Sequence, residues 1–156
     1  RKKKGQYEYR IVWNDVTYQP GELKVVAYKN GKEWAKDTMK TTGPAQQLLM
    51  EPDHAKIKAD GADLSYVTVT VADKSKLQVP RAKNHIQFSI EGPGEIVATD
   101  NGDATSLVSF QSKERDAYNG LALVIVRSKP GEAGTIVLKA KADGLAPSDT
   151  KIATKK

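Results

Sequence analysis

Four acidic residues lie close together in the middle of the chain: Glu91, Glu95, Asp100 and Asp103. Acid–base cleavage of an acetal needs two carboxyl groups across a cleft, about 5–5.5 Å or about 6.5–9.5 Å apart according to mechanism. These four sit in or beside turns, where Asp and Asn bond to nearby backbone. Nothing around them offers the apolar cleft that would raise one carboxyl pKa. They are expected to shape bends, and no catalytic residue is assigned. Asp60, Asp63, Asp100 and Asp103 supply the oxygen ligands a calcium ion would want. The EF-hand spacing is absent and no acidic residue closes a loop, so turn chemistry is again expected and no metal is assigned. His54 and His85 are far apart, with no cysteine or carboxylate cluster expected around them, which makes a poor metal site. Ser65, Ser89, Ser106 and Ser109 lack the nucleophile elbow of a serine hydrolase. No cofactor motif is found. Trp13, Trp34, Tyr18 and Tyr28 crowd the first quarter of the chain. Planar rings on a β surface can stack on sugars, so Trp13 and Trp34 are candidate carbohydrate contacts. The expected role for both is nonetheless to fill a core, as large aromatics usually do.

Charge and composition narrow the partners. The net charge is +6, but Arg1-Lys2-Lys3-Lys4 and Lys155-Lys156 account for all of it. Nucleic-acid binding wants a basic face with stacking aromatics, so no nucleic-acid partner is expected. No apolar run approaches the roughly 18 residues of a membrane-spanning helix, and no membrane insertion is expected. The chain has no cysteine, which removes disulfides, thiolate metal sites and thiol nucleophiles. It opens on Arg1 without a signal-peptide pattern, and reads as a piece of something longer.

The elements that must position these residues are strands. Residues 6–13 alternate, 16–18 form a short extended piece, and Pro20-Gly21 fits the centre of a type II turn. Residues 22–29 and 32–41 flank Asn30-Gly31, a hairpin signal. Thr42-Gly43-Pro44 breaks the pattern. The division expected is 1–43, the C-terminal half of an incomplete sandwich, and 44–156, a complete one. In the second part, residues 47–50 and 55–59 open the sheet. Tyr66 to Ala72 has period two, with Val67, Val69 and Val71 inward. Residues 77–80 form an edge piece, since Pro80 cannot donate to a ladder. Ile86, Phe88 and Ile90 share one side of the next strand. Gly92-Pro93-Gly94 redirects the chain, 96–98 is a short apolar run, and Asn101-Gly102 suits a tight turn. Residues 103–118 hold a longer connection with Leu107, Val108 and Phe110, and 112–118 is the one stretch that could form a helical turn, too short and uncapped to count for more. Within it Arg115 and Asp116 read as a solvated pair, and Tyr118 as a tyrosine-corner-like residue bonding back to a loop. Residues 120–128 are apolar on both faces, as in a central strand, 135–142 alternate, and 150–154 close the sheet. Turns every 8–12 residues or so, without a convincing helix, predict an all-β, immunoglobulin-like sandwich.

Several of these stretches together resemble the C-terminal accessory region of family 2 glycoside hydrolases of the bacterial β-galactosidase type. Trp13 to Gly43, with Tyr18-Gln19-Pro20-Gly21 and the strand Leu23 to Tyr28, is similar to the end of the Ig-like domain that follows the catalytic barrel there. Asp60 to Asp73, Phe88 to Asp103 (FSIEGPGEIVATDNGD) and Tyr118 to Ser128 (YNGLALVIVRS) resemble the terminal Ig-like domain. The resemblance implies a parent that is a retaining β-galactosidase or related β-glycosidase, acting on terminal β-galactosides of glycans in the periplasm or outside a bacterial cell. The family's catalytic glutamates lie on the upstream barrel, and no residue here corresponds to them. The implied role is a non-catalytic structural domain that packs on that barrel and could support a homodimer contact. Two other roles remain: a carbohydrate-binding module, or an Ig-like repeat of a bacterial surface adhesin.

Overall fold

The computed structural model describes residues 10–156. They fall into two compact units that divide between Thr41 and Thr42.

The first unit holds one hairpin. β1 (Glu22–Lys29) and β2 (Lys32–Lys40) run antiparallel. Their turn places Asn30 and Gly31 at φ 53° and 76°, the doubly positive geometry that matches strand twist and that Asn-Gly tolerates best. Thr41 N–H donates to Gly21 O at 2.8 Å and closes the open end. Residues 6–9 of the strand expected over 6–13 lie outside the described residues. The other half, 10–13, joins no ladder among the described residues, and neither does 16–18. Leu23 opposes Met39 in the register, so both stand on one face of the hairpin, with Val25 beside them. All three side chains are exposed.

The second unit is a two-layer sandwich. One sheet runs β3 (Gln47–Pro52), β5 (Leu64–Ala72), β9 (Leu121–Ser128), β7 (Gly94–Asp100). The other runs β4 (Lys56–Lys58), β11 (Ser148–Lys155), β10 (Gly134–Lys141), β6 (His85–Glu91), β8 (Glu114–Asp116). Pairing is antiparallel except for the short β4–β11 ladder. Period two decides which side chains meet between the layers. Val67, Val69 and Val71 of β5 and Val124 and Val126 of β9 face Ile86 and Phe88 of β6, Ile136 and Leu138 of β10 and Ile152 of β11 in one buried cluster. Each such aliphatic side chain removed from water contributes about 1.5–3 kcal/mol. β9 lies between β5 and β7, and its second face is half-buried, as its doubly apolar sequence requires.

β6 and β7 are neighbours in sequence but belong to opposite sheets. The chain crosses between layers in Gly92-Pro93-Gly94, where Gly94 N–H donates to Gly92 O at 2.9 Å. Gly92 has φ +90°, and a Cβ there would lie 2.2 Å from the Thr135 carbonyl oxygen. Backbone cannot yield as a side chain can.

Residues 112–118 are not helical. Glu114–Asp116 is an edge strand on β6, with Arg115 inward and Glu114 and Asp116 outward. The acidic flanks hide an alternation in which the inward residue is a cation. Asn101-Gly102 turns with Gly102 at φ 75°, and it opens the long loop 101–113 rather than a tight hairpin.

The crossing gives a graded expectation. Gly102 also has positive φ, but nothing lies within 4 Å of its added Cβ. Gly102→Ala is expected to cost about 1–2 kcal/mol from backbone strain alone. Gly92→Ala should cost about 3 kcal/mol or more, because strain and a backbone collision add. Urea unfolding of the two variants checks the order, and equal losses would remove the tight crossing as a constraint.

Candidate functional site

Each carboxylate that could do chemistry is engaged close to home. Glu91 pairs with Lys139 Nζ at 2.5 Å on the outer face of its sheet. Glu95 accepts from Arg127 Nε and Nη2 at 2.9 and 2.7 Å, its cross-strand partner in β9. Asp100 accepts the N–H groups of Asn101 and Gly102. Asp103 accepts the Thr105 hydroxyl at 2.7 Å and its N–H at 2.9 Å, and these bonds hold its pKa below the usual value. Asp60 accepts the N–H groups of Ala62 and Asp63, which lowers its pKa too. Asp63 accepts from Lys58 and Leu64. The aspartate bonds make turns, and those of Asp60 and Asp103 stabilise the ionised form, the reverse of what a general acid needs. Among the described residues no group of three or more His, Asp or Glu is placed to hold a metal ion.

Two recesses mark the five-stranded sheet. One of about 350 Å³ is lined by Gln87, Ser89, Lys139, Lys141 and Asp149 among others, and one of about 260 Å³ by Asn84, His85, Lys141 and Asp143 among others. The lining of each carries a single carboxylate, with lysine beside it.

Both histidines have acidic neighbours, contrary to the sequence expectation. His54 Nδ1 lies 3.0 Å from Asp53. His85 Nδ1 lies 2.6 Å from Asp116 Oδ1, and its Nε2 lies 3.4 Å from Glu114. β6–β8 pairing makes this contact, since His85 stands opposite Asp116 in the register. The hydrogen bond to Asp116 raises the His85 pKa above 6.5, with Glu114 adding to it and partial burial opposing it. All three side chains remain about half exposed, so the cluster is a surface feature.

Sequence reading missed two structural polar residues. Asp73 is buried and accepts the N–H groups of Gly43 (2.8 Å), Ser75 (2.8 Å) and Leu77 (3.0 Å). The bond from Gly43 is the leading cause of its lowered pKa. The turn at 73–76 was legible; the distant Gly43 partner was not. Arg115 is 2% exposed and pairs with no acid among the described residues, where a solvated Arg115–Asp116 pair was expected. Its Nη2 donates to Thr99 O and Ser109 O at 2.7 Å each, its Nη1 to Val108 O at 3.0 Å and Ser106 Oγ at 3.4 Å, and its Nε to Thr99 Oγ1 at 3.3 Å. Ser65 is buried and donates to His54 O. Tyr118 is partly exposed and exchanges backbone bonds with Leu121. Trp13 and Trp34 fill no core among the described residues: they are 62% and 72% exposed. Lys29 Nζ stands 5.6 Å from the Trp34 ring centre.

Residues 48–151 match the model for the glycoside hydrolase family 2 C-terminal domain 5, and residues 1–35 match a domain of unknown function (DUF4982). Beta-galactosidase BoGH2A of Bacteroides ovatus is 34% identical over 151 residues, 97% of this chain and 18% of that protein. A beta-galactosidase of Thermoanaerobacter pseudethanolicus is 30% identical over 149 residues, 95% of this chain and 18% of that protein. The crystal structure of a family 2 glycosyl hydrolase member from Bacteroides cellulosilyticus superposes with a TM-score of 0.85 at 33% identity, over 90% of this chain and 18% of that one. The chain thus spans 18% of the length of each of these two curated relatives.

Two outcomes test the polar groups. Arg115→Ala strands the Val108, Ser109 and Thr99 carbonyls and should cost about 3 kcal/mol in urea unfolding. Arg115→Lys should recover only part of it, because one ammonium cannot serve a guanidinium's spread of acceptors. His85 stabilises the fold fully below its unfolded pKa of about 6.5, and that contribution fades as pH rises through the higher folded value. The His85 ring resonances should therefore titrate above 6.5, and Asp116→Asn should move the midpoint down. An unmoved midpoint would remove Asp116 as the cause.

Proposed function

Because this chain belongs to the glycoside hydrolase family 2 C-terminal domain 5 family, we propose that it is a non-catalytic accessory domain of a longer β-galactosidase-type hydrolase. The observation that carries this reading is the match of residues 48–151 to that family, joined by 34% identity along 97% of the chain to a protein named a β-galactosidase. Side-chain chemistry supports the non-catalytic part. The carboxylates of Asp60, Asp100 and Asp103 are spent on N–H groups of their own turns, and Glu91 and Glu95 on cross-strand cations. The reaction then belongs to a barrel elsewhere in the polypeptide. We further read the first unit as the C-terminal half of a second sandwich, because its hairpin leaves Leu23, Val25 and Met39 exposed and a two-stranded ribbon is marginal by itself.

Exposure of Trp13 and Trp34 favours a second reading, in which the first unit contacts glycan. Rings over 60% exposed can stack on a sugar face.

The 156-residue chain is expected to release nothing from a chromogenic β-galactoside, and the full-length polypeptide is expected to turn it over. Turnover by the purified chain would overturn the accessory reading. Full-length cleavage of a different β-glycoside would keep the family and change the substrate. For the second reading, calorimetric titration of galactan should show binding that Trp34→Ala weakens at least tenfold; no binding removes it.

A further inference from the structure

The loop 101–113 between β7 and β8 raises its apolar residues into water. Leu107 is 100% exposed, Phe110 63% and Val108 48%. Single exposed aliphatic residues are ordinary, whereas three within four positions at one loop tip form a patch. A loop free to collapse would fold such residues under itself. This one is held open. The buried Arg115 guanidinium binds Val108 O and Ser109 O from beneath, and Ser106 Oγ beside them. Its cation lies 6.0 Å from the Phe110 ring centre. Thr99 fastens the C-terminal part of the loop, donating N–H to Phe110 O at 2.7 Å and its hydroxyl to Ser112 O at 2.8 Å. Asn101 Nδ2 adds a bond to Asp116 O at 2.9 Å. Burying a permanent cation without a carboxylate is costly unless its donors are satisfied. Here the satisfied donors fix the backbone so that its carbonyls face in and its apolar side chains face out. Ordering a loop before it meets a partner lowers the cost of binding.

We propose that Leu107, Val108 and Phe110 form a rigid apolar knob that docks into a recess on another domain of the same polypeptide. This rests on the reading of the chain as one domain of a longer hydrolase. The occupant follows from length and chemistry. Matched relatives are of a size at which this chain makes up 18%, so most of the polypeptide lies outside it as a permanent, tethered neighbour. Permanent interfaces are the apolar ones. A sugar is the poorer fit, because its hydroxyls need polar partners and the Val108 and Ser109 carbonyls are already taken by Arg115.

The chain has no cysteine, so Leu107→Cys gives it one reporter thiol, and its full exposure makes the change harmless to the fold. In the full-length polypeptide, maleimide labelling of this position, read by peptide mass spectrometry, should be at least tenfold slower than in the urea-unfolded protein. Labelling within threefold of the unfolded rate overturns the proposal. A benzophenone amino acid introduced at position 107 supplies the second measurement. A crosslink within one polypeptide to a peptide outside these 156 residues supports the docking. A crosslink between two copies, or none, overturns it. The hydrolysis assay on the same preparation is independent. A protein that protects Leu107 but cleaves no glycoside fails the functional reading and keeps the interface.

Discussion

The second unit depends on the dry seam between its two sheets. Val67, Val69, Val71, Val124 and Val126 form one lining, and Ile86, Phe88, Ile136, Leu138 and Ile152 the other. Every inward position is forced by period two, so a one-residue slip in any strand would turn its aliphatic side chains to water. The seam also fixes where the chain can change layers. The crossing at Gly92-Pro93-Gly94 runs so close to β10 that no side chain fits at Gly92.

Polar chemistry in this domain serves the seam. Asp60, Asp73, Asp100 and Asp103 collect backbone N–H groups that the turns leave without ladder partners. Turn backbone leaves N–H groups without ladder partners, and the short Asp side chain can accept them locally, which explains why acids gather at corners. A reactive carboxyl wants the reverse environment, apolar walls and an unmet proton. The same side chain cannot do both jobs, which fits the accessory role proposed for this domain.

Arg115 is the buried cation among the described residues. It lies inside, bound to oxygens of Thr99, Ser106, Val108 and Ser109. By occupying those acceptors it supports a long loop that has no ladder of its own. The result is a stiff projection from an otherwise plain sandwich. Long connections are uncommon in compact domains unless they carry a function.

Much of this was legible from residue order. The valines of β5, the doubly apolar β9, the alternation of β10 and the Asn30-Gly31 hairpin are local patterns, and local patterns survive without knowledge of partners. The family resemblance was legible as well, in FSIEGPGEIVATDNGD and YNGLALVIVRS. The polar placements were not. Glu114-Arg115-Asp116 has the same residues whether solvated or in a strand, and only β6 lying alongside turns Arg115 inward and brings Asp116 to His85. Asp73 finds Gly43 across 30 residues of chain. Trp13 and Trp34 could be core or surface by type, and the neighbours present decide it. Sequence determined strand, turn and sheet face, because these follow from the stereochemistry of adjacent residues. Tertiary structure alone decided which charges are buried, since a charge's environment is made by segments distant along the chain.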